Sequence, residues 1–278
     1  MSIPGAANPL FLTSAAGAAA EFKIDRSLRF NSGDSAYLSR TPSSEGNRKK
    51  WTWSGWVKRS ELGRVQNIFR VVGALSDTTV FQIRFMSNDA IGVVNYSYYP
   101  LISDAVFRDV GAWLHLVVAL DVDQASNSNK LRFYINGSEV TSWATDNRGS
   151  LGTNAQGVNQ ASVAHTIGGP GSSEYFSGYL AEIHFVDGQA LAPTDFGEYD
   201  DSNVWQPKQF TGSYTQSSGG RTIANSSGAV PILNTSDADG QTVSSGVRTD
   251  SNSSSIVLAL PLNGSNGGTT ITDYHHTI

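Results

Sequence analysis

Between Ser27 and Val186 apolar and polar residues trade places with a period of two, the pattern of strands that bury one face. Trp51–Lys58 shows it best: Trp51, Trp53, Gly55 and Val57 fall on one face, and Thr52, Ser54, Trp56 and Lys58 on the other. Trp56 is the odd member, a large aromatic on the otherwise polar face. Ser27–Asn31 and Ala36–Arg40 read as short strands joined by a Gly33-Asp34 turn, and Thr41–Lys50 as a polar loop ending in Arg48, Lys49 and Lys50. Asn67–Ala74, Thr79–Met86 and Ala90–Tyr99 are rich in Val, Ile, Phe or Tyr, with Gly, Asp or Asn in or between them, as strands are. Leu114–Val122 is apolar on both faces over most of its length, which marks a central strand covered on both sides. Lys130–Ile135 places Leu131, Phe133 and Ile135 inward and Arg132 and Tyr134 outward. Asn136-Gly137 then predicts a type I′ hairpin, because both central residues need positive φ, and Glu139–Trp143 is the return strand.

A long polar loop, Thr145–Ala161, leads to the strand Val163–Ile167, the Gly168–Gly171 turn and a closing strand, Phe176–Val186. In that last strand Leu180 and Ile183 are three apart, which breaks alternation and predicts a bulge near Ala181-Glu182. Pro193–Tyr199 has a helix start and room for one or two turns. Roughly a dozen strands at hairpin spacing make an all-β, two-sheet antiparallel jelly-roll sandwich.

Composition narrows where that sandwich lies. Hydrophobic residues make up 39% of the 278, and the deficit is concentrated in Met1–Ala20 and Gly212–Ser255, built largely from Ser, Thr, Gly, Ala and Asn. The expected organisation is an extended arm over 1–26, the jelly roll over 27–200 and a linker or tail over 201–255. No Lys or Arg precedes Lys23 and the apolar run Pro9–Leu12 is short, so the arm reads as a mature, flexible segment and not as a signal peptide, with an arm that orders only on docking to a partner as the sharper version. No run approaches the roughly 18 apolar residues of a membrane span. A net charge of −5 with scattered basic residues argues against nucleic acid and anionic membrane as partners. The absence of cysteine excludes disulfides and thiol chemistry.

The acids on the expected strands, Glu139, Glu182 and Asp187, stand apart, whereas glycoside hydrolysis needs a matched pair of carboxylates. The expectation is therefore a protein without catalytic residues. Trp56, Tyr96, Tyr98, Tyr99, Tyr134 and Trp143 are outward-facing or loop-adjacent aromatics, suited either to a sugar platform or to a protein interface. His115 reads as a hydrogen-bonded histidine on a central strand, and His275-His276 as polar residues near a chain end. Gly168-Gly169 and Gly171 form no phosphate cradle, because no helix follows them.

The ordered motifs SLRFNSGDSAYL, WTWSGWVK, WLHLVVALD, LRFYINGSEV and FSGYLAEIHFVDGQAL together resemble a laminin-G-like, concanavalin A-like jelly roll over Ser27–Tyr199. The shared features are Trp53 and Trp56, Trp113 with His115, Tyr134-Ile135-Asn136-Gly137, and Phe176 through Phe185. Ala181 departs from relatives that carry Asp before the Glu. The resemblance implies calcium as a candidate cofactor at a sheet rim, with Asp34, Asp121, Asp123, Asn136 and Asp187 as candidate ligands and Asp34 first among them; turn geometry is the alternative use of such residues. Asn203–Lys208 and the opening MSIPGAANPL resemble versions carried by tailed bacteriophages. Ile256–Gly264 resembles the opening strand of a second repeat over 256–278. The implied role is a non-enzymatic virion protein, a tail fibre that adheres to host-surface glycan. It would be homo-oligomeric and contact other virion proteins through arm and tail, with neither nucleic acid nor membrane insertion. Capsid decoration and a secreted bacterial lectin module are the alternatives.

Overall fold

The strands form where alternation calls for them, and their pairing supplies what alternation leaves open. The computed structural model describes residues 22–74, 76, 79–153, 156–169 and 173–211, and the backbone alone of 213–215, 221–224, 232–234 and 256–260. Residues 1–21, much of the expected tail and His275-His276 lie outside the described residues.

In chain order the strands are β1 (Leu28–Phe30), β2 (Leu38–Arg40), β3 (Lys50–Arg59), β4 (Gln66–Val72), β5 (Val80–Phe85), β6 (Ala90–Val94), β7 (Leu101–Val106), β8 (Leu114–Asp121), β9 (Leu131–Ile135), β10 (Ser138–Glu139), β11 (Trp143–Asp146), β12 (Ala164–Ile167) and β13 (Gly178–Asp187). Two large antiparallel sheets result. The first runs β1-β13-β3-β8-β9-β10 and the second β11-β7-β6-β5-β4-β12-β2. The all-β two-sheet sandwich is as expected. Trp51 and Trp53, opposite Leu120 and Val118 on β8, enter the core with Phe69, Phe81, Phe85, Phe133 and Phe185. Trp51 meets Phe81 edge-on at 4.9 Å, and Phe69 stacks on Phe185 at 6.1 Å. Gly55 makes room for this cluster, since a Cβ there would come within 2.8 Å of the Trp53 ring. The expected bulge is present: β13 slips register against β3 between Ala181 and His184, with Glu182 at φ 45°. Asn136 and Gly137 adopt φ 48° and 80°, as the hairpin requires.

Three elements differ from expectation. Ala90–Tyr99 is not one strand; it stops at Val94, turns through an Asn95 N–H bond to the Tyr98 carbonyl, and resumes as β7. The return strand Glu139–Trp143 lasts only through β10, after which Trp143 crosses to the second sheet and pairs with Ser103 of β7. Pro193–Tyr199 makes one 3₁₀ turn over Pro193–Asp195 and then extends as β14 (Gly197–Tyr199), which pairs with β15 (Trp205–Pro207). The boundary expected at residue 200 falls inside this hairpin, and the packed chain continues to a buried Phe210. Beyond it, backbone strands β16 (Ser213–Thr215), β17 (Arg221–Ala224) and β18 (Ile232–Asn234) pair with one another. The backbone of β19 (Ile256–Leu260), from the segment expected to open a second repeat, pairs with His184, Phe185 and their neighbours on β13.

Candidate functional site

The outer face of the first sheet follows from its register. Lys50 stands opposite Asp121; Thr52 opposite Ala119, which stands opposite Arg132; Ser54 opposite Val117, which stands opposite Tyr134; and Trp56 opposite His115. These side chains point away from the core. The chain leaving β13 then crosses them. Gly188 N–H donates to the Lys50 carbonyl at 2.9 Å, Thr52 Oγ1 donates to the Gln189 carbonyl at 2.8 Å, and Leu191 N–H donates back to Thr52 Oγ1 at 2.8 Å. From there residues 193–210 fold over the middle of the sheet as a flap. Phe196 and Phe210 stack at 4.9 Å, and both lie against His184. Val117, Tyr134 and Val186 form the floor beneath them.

Trp205 fastens the flap. Its Nε1–H donates to His115 Nδ1 at 3.0 Å, and the indole stacks on the imidazole at 5.9 Å. Trp56 stacks on the same imidazole at 4.9 Å. With Nδ1 accepting, the proton sits on Nε2 and is donated to Ser54 Oγ, 2.9 Å away. Burial drives the His115 pKa from 6.5 down to about 3, with the nearby His184 adding to the shift, so the ring is neutral. The Asn-Gly hairpin completes the seat: His115 N–H donates to Asn136 Oδ1 at 2.8 Å, and any Cβ on Gly137 would overlap the Trp205 ring.

The flap leaves two openings on this face. On one side a polar pocket of about 440 Å³ lies over Ala119. It exists because Ala119 is the smallest side chain in its row, with Thr52 and Arg132 on either side, while the strap 188–192 rises as a wall. Lys50, Asp121, Gln124, Asn129, Arg132 and Tyr134 line it. Asp121 is buried, and burial alone would raise its pKa. Hydrogen bonds from Lys50 (2.8 Å), Gln124 (2.8 Å) and the Asp123 N–H (3.3 Å) outweigh burial and hold it ionised. Arg132 Nη2 donates to Asn129 Oδ1 at 2.9 Å. On the other side a groove of about 580 Å³ is lined by Trp56, Trp113 and Trp205 together with Phe22–Ser27.

The six candidate aromatics are dispersed. Trp56 faces outward as alternation requires but is 8% exposed, covered by the flap. Tyr134 is 9% exposed and forms a wall of the polar pocket. Tyr98 and Trp143 pack against the main core, Trp143 edge-on to Phe133 at 6.2 Å with the Arg148 guanidinium 5.8 Å from its ring. Tyr96 and Tyr99 are exposed, at 50% and 39%, in the β6–β7 loop. Asp34 lies in the turn after β1, where its carboxylate accepts from Asn31 Nδ2 at 2.7 Å. No group of three or more His, Cys, Asp or Glu side chains able to hold a metal occurs among the described residues. Lys50, Gln124, Asn129 and Gln189 were not singled out as site residues by the sequence. The signal that finds them is a small residue, Ala119, at the centre of a polar row.

A family model described as the concanavalin A-like lectin/glucanases superfamily matches residues 31–195. No curated protein matches. Among solved structures, domain 4 of AbnA, a GH43 extracellular arabinanase from Geobacillus stearothermophilus in complex with arabinotriose, is 20% identical with a TM-score of 0.47, covering 63% of this chain and 76% of that one. A heptameric SAP-like pentraxin from Limulus polyphemus is 18% identical at a TM-score of 0.39, covering 56% and 71%. A Trypanosoma rangeli sialidase is 15% identical at 0.38, covering 53% of this chain and 22% of that one.

Proposed function

The chain belongs to the concanavalin A-like lectin/glucanases superfamily, and from that membership we propose a non-enzymatic carbohydrate-binding protein that seats a saccharide in the polar pocket over Ala119. The observation that carries this reading is the pocket's lining: three amide residues, a guanidinium, a Lys–Asp pair and a phenol ring converge on one concavity of about 440 Å³. Sugar hydroxyls both donate and accept, so they need planar groups of both kinds at short range, and the C–H face of a pyranose packs on an aromatic wall. Support for a binding rather than cleaving role comes from Asp121. It is the one carboxylate lining this pocket among the described residues, and its oxygens already accept bonds from Lys50, Gln124 and the Asp123 N–H. Cleavage would need a second carboxylate roughly 5–9 Å away.

The test fills the pocket. Ala119→Phe in the full chain is expected to abolish glycan-array binding while the melting temperature stays near that of the wild type. Undiminished binding by a folded Ala119→Phe protein would sink the assignment of this pocket.

The wider role we propose is that of a phage virion protein, with tail-fibre adhesion ahead of capsid decoration; a secreted bacterial lectin is the alternative. Sequence supports it through the resemblance at Asn203–Lys208, which contains the flap-fastening Trp205, and through the Ala-rich arm. Deleting residues 1–20 is expected to stop incorporation into particles. Unchanged incorporation would remove the arm as the docking element.

A further inference from the structure

We infer that the saccharide taken by the polar pocket is acidic, bearing a carboxylate or a sulfate ester that the Arg132 guanidinium holds. This rests on the carbohydrate reading above and adds a chemical class to it. Three charged side chains line the pocket, Lys50, Asp121 and Arg132. Lys50 and Asp121 satisfy each other at 2.8 Å. Arg132 takes part in none of the ion pairs formed among the described residues. Its Nη2 donates to the Asn129 amide oxygen and the guanidinium also bonds the Tyr134 hydroxyl, both neutral partners; the Glu139 carboxylate acts on it only from beyond ion-pair distance, and its Nε is buried with no hydrogen-bond partner.

A guanidinium presents five donors in a planar fork and cannot shed its proton, so in a half-buried seat it keeps a charge that Asn129, Tyr134 and the more distant Glu139 do not pair directly, and donors that they do not fill. Neutral hydroxyls fill donors but leave the charge; a carboxylate or sulfate supplies both, in bidentate geometry. The methyl of Ala119 across the row leaves the guanidinium uncovered on that side. Asp121 gives the ligand a direction. Paired with Lys50, it offers an acidic group no net positive charge at the β8 end and leaves that end to hydroxyls, which places the acid against β9 and Arg132.

Calorimetric titration of the full chain with three matched probes tests this: an oligogalacturonate, a sulfated galacto-oligosaccharide and the neutral galacto-oligosaccharide. The expected result is an acidic probe bound about 10- to 100-fold more tightly than the neutral one, the range of a charge-assisted hydrogen-bond pair. The oligogalacturonate and sulfated arms tell carboxylate from sulfate. In Arg132→Gln that ratio is expected to collapse to about one, and Arg132→Lys to restore part of it, with melting temperatures showing that both variants are folded. A wild type that binds neutral and acidic probes equally, or an acid preference that survives Arg132→Gln, overturns the inference while leaving the carbohydrate reading intact. Failure of all three probes to bind counts against both.

Discussion

Replacing Trp205 by alanine will unfasten the flap and lower stability by about 3–5 kcal/mol, the cost of deleting a buried aromatic and leaving a cavity. For a domain of this size each kcal/mol is worth about 2–4 °C, so the melting temperature should fall by roughly 6–20 °C. The loss has named parts. The indole is buried between the His115 ring and the Asn136-Gly137 hairpin, and its N–H satisfies His115 Nδ1. Trp205→Phe keeps the ring and removes only the N–H, and should cost about 1–3 kcal/mol for the stranded acceptor.

Acid acts on the same bond. Below pH 6.5 the unfolded chain protonates His115, but the folded chain does not until about pH 3, so the unfolded state binds the extra proton. Stability from this group is therefore complete above pH 6.5 and drains away toward pH 3, by up to about 1.4 kcal/mol per pH unit. His165, lowered to about 4 by burial, adds a second slope of the same sign; its Nε2 accepts from the Asn159 N–H and also loses its bond on protonation. Thermal melts from pH 7 to 4 should show a steep decline in wild type and a shallower one in Trp205→Ala, where His115 opens to water. Equal slopes would show that His115 is not held neutral by the flap.

Asp89→Ala should be as damaging, between the two sheets. Arg59 leaves the first sheet fully buried, lies over the Phe85 ring at 4.1 Å, and pairs with Asp89 at 3.0 Å in the β5–β6 turn of the second sheet. Asp89 also accepts from the Gly63 N–H (2.8 Å) and Arg108 Nε (3.0 Å). Removing the carboxylate strands a buried guanidinium, which costs about 3–5 kcal/mol. It also places alanine at φ 70°, a conformation that Asp and Asn tolerate far better. Asp89→Asn keeps the backbone preference and one acceptor, and should recover part of the loss. Denaturant melts measure both variants; an Asp89→Ala midpoint equal to wild type would show that the inter-sheet ion pair contributes nothing.

The sheets were legible because alternation is a local property. Trp51 and Trp53 inward, the bulge at Ala181-Glu182 and the positive-φ hairpin at Asn136-Gly137 all follow from residues within a few positions of one another. What was not legible depends on contacts across long stretches of chain. Alternation places Trp56 and Tyr134 on the outer face, but Trp205 and Phe196, far along the chain, decide that this face is covered. Tyr96 and Tyr99 are exposed because no flap among the described residues is laid over their loop. The polar pocket escaped for the same reason: Ala119 reads as one more small residue in a central strand until register sets it beside Arg132 and Thr52. The strand β7 was missed because Asn95–Pro100 ends in three aromatic or proline positions that blur where one strand stops and the next begins.

The central claim is that the saccharide sits over Ala119, between the strap and β9. Backbone and methyl NMR shifts of the full chain, followed while an array-positive glycan is titrated in, test it most directly. The account predicts saturable shifts clustered at Ala119, Asp121, Arg132, Tyr134 and Gly188–Ala192, with the β6–β7 loop unmoved. Shifts confined to Tyr96 and Tyr99 would contradict it.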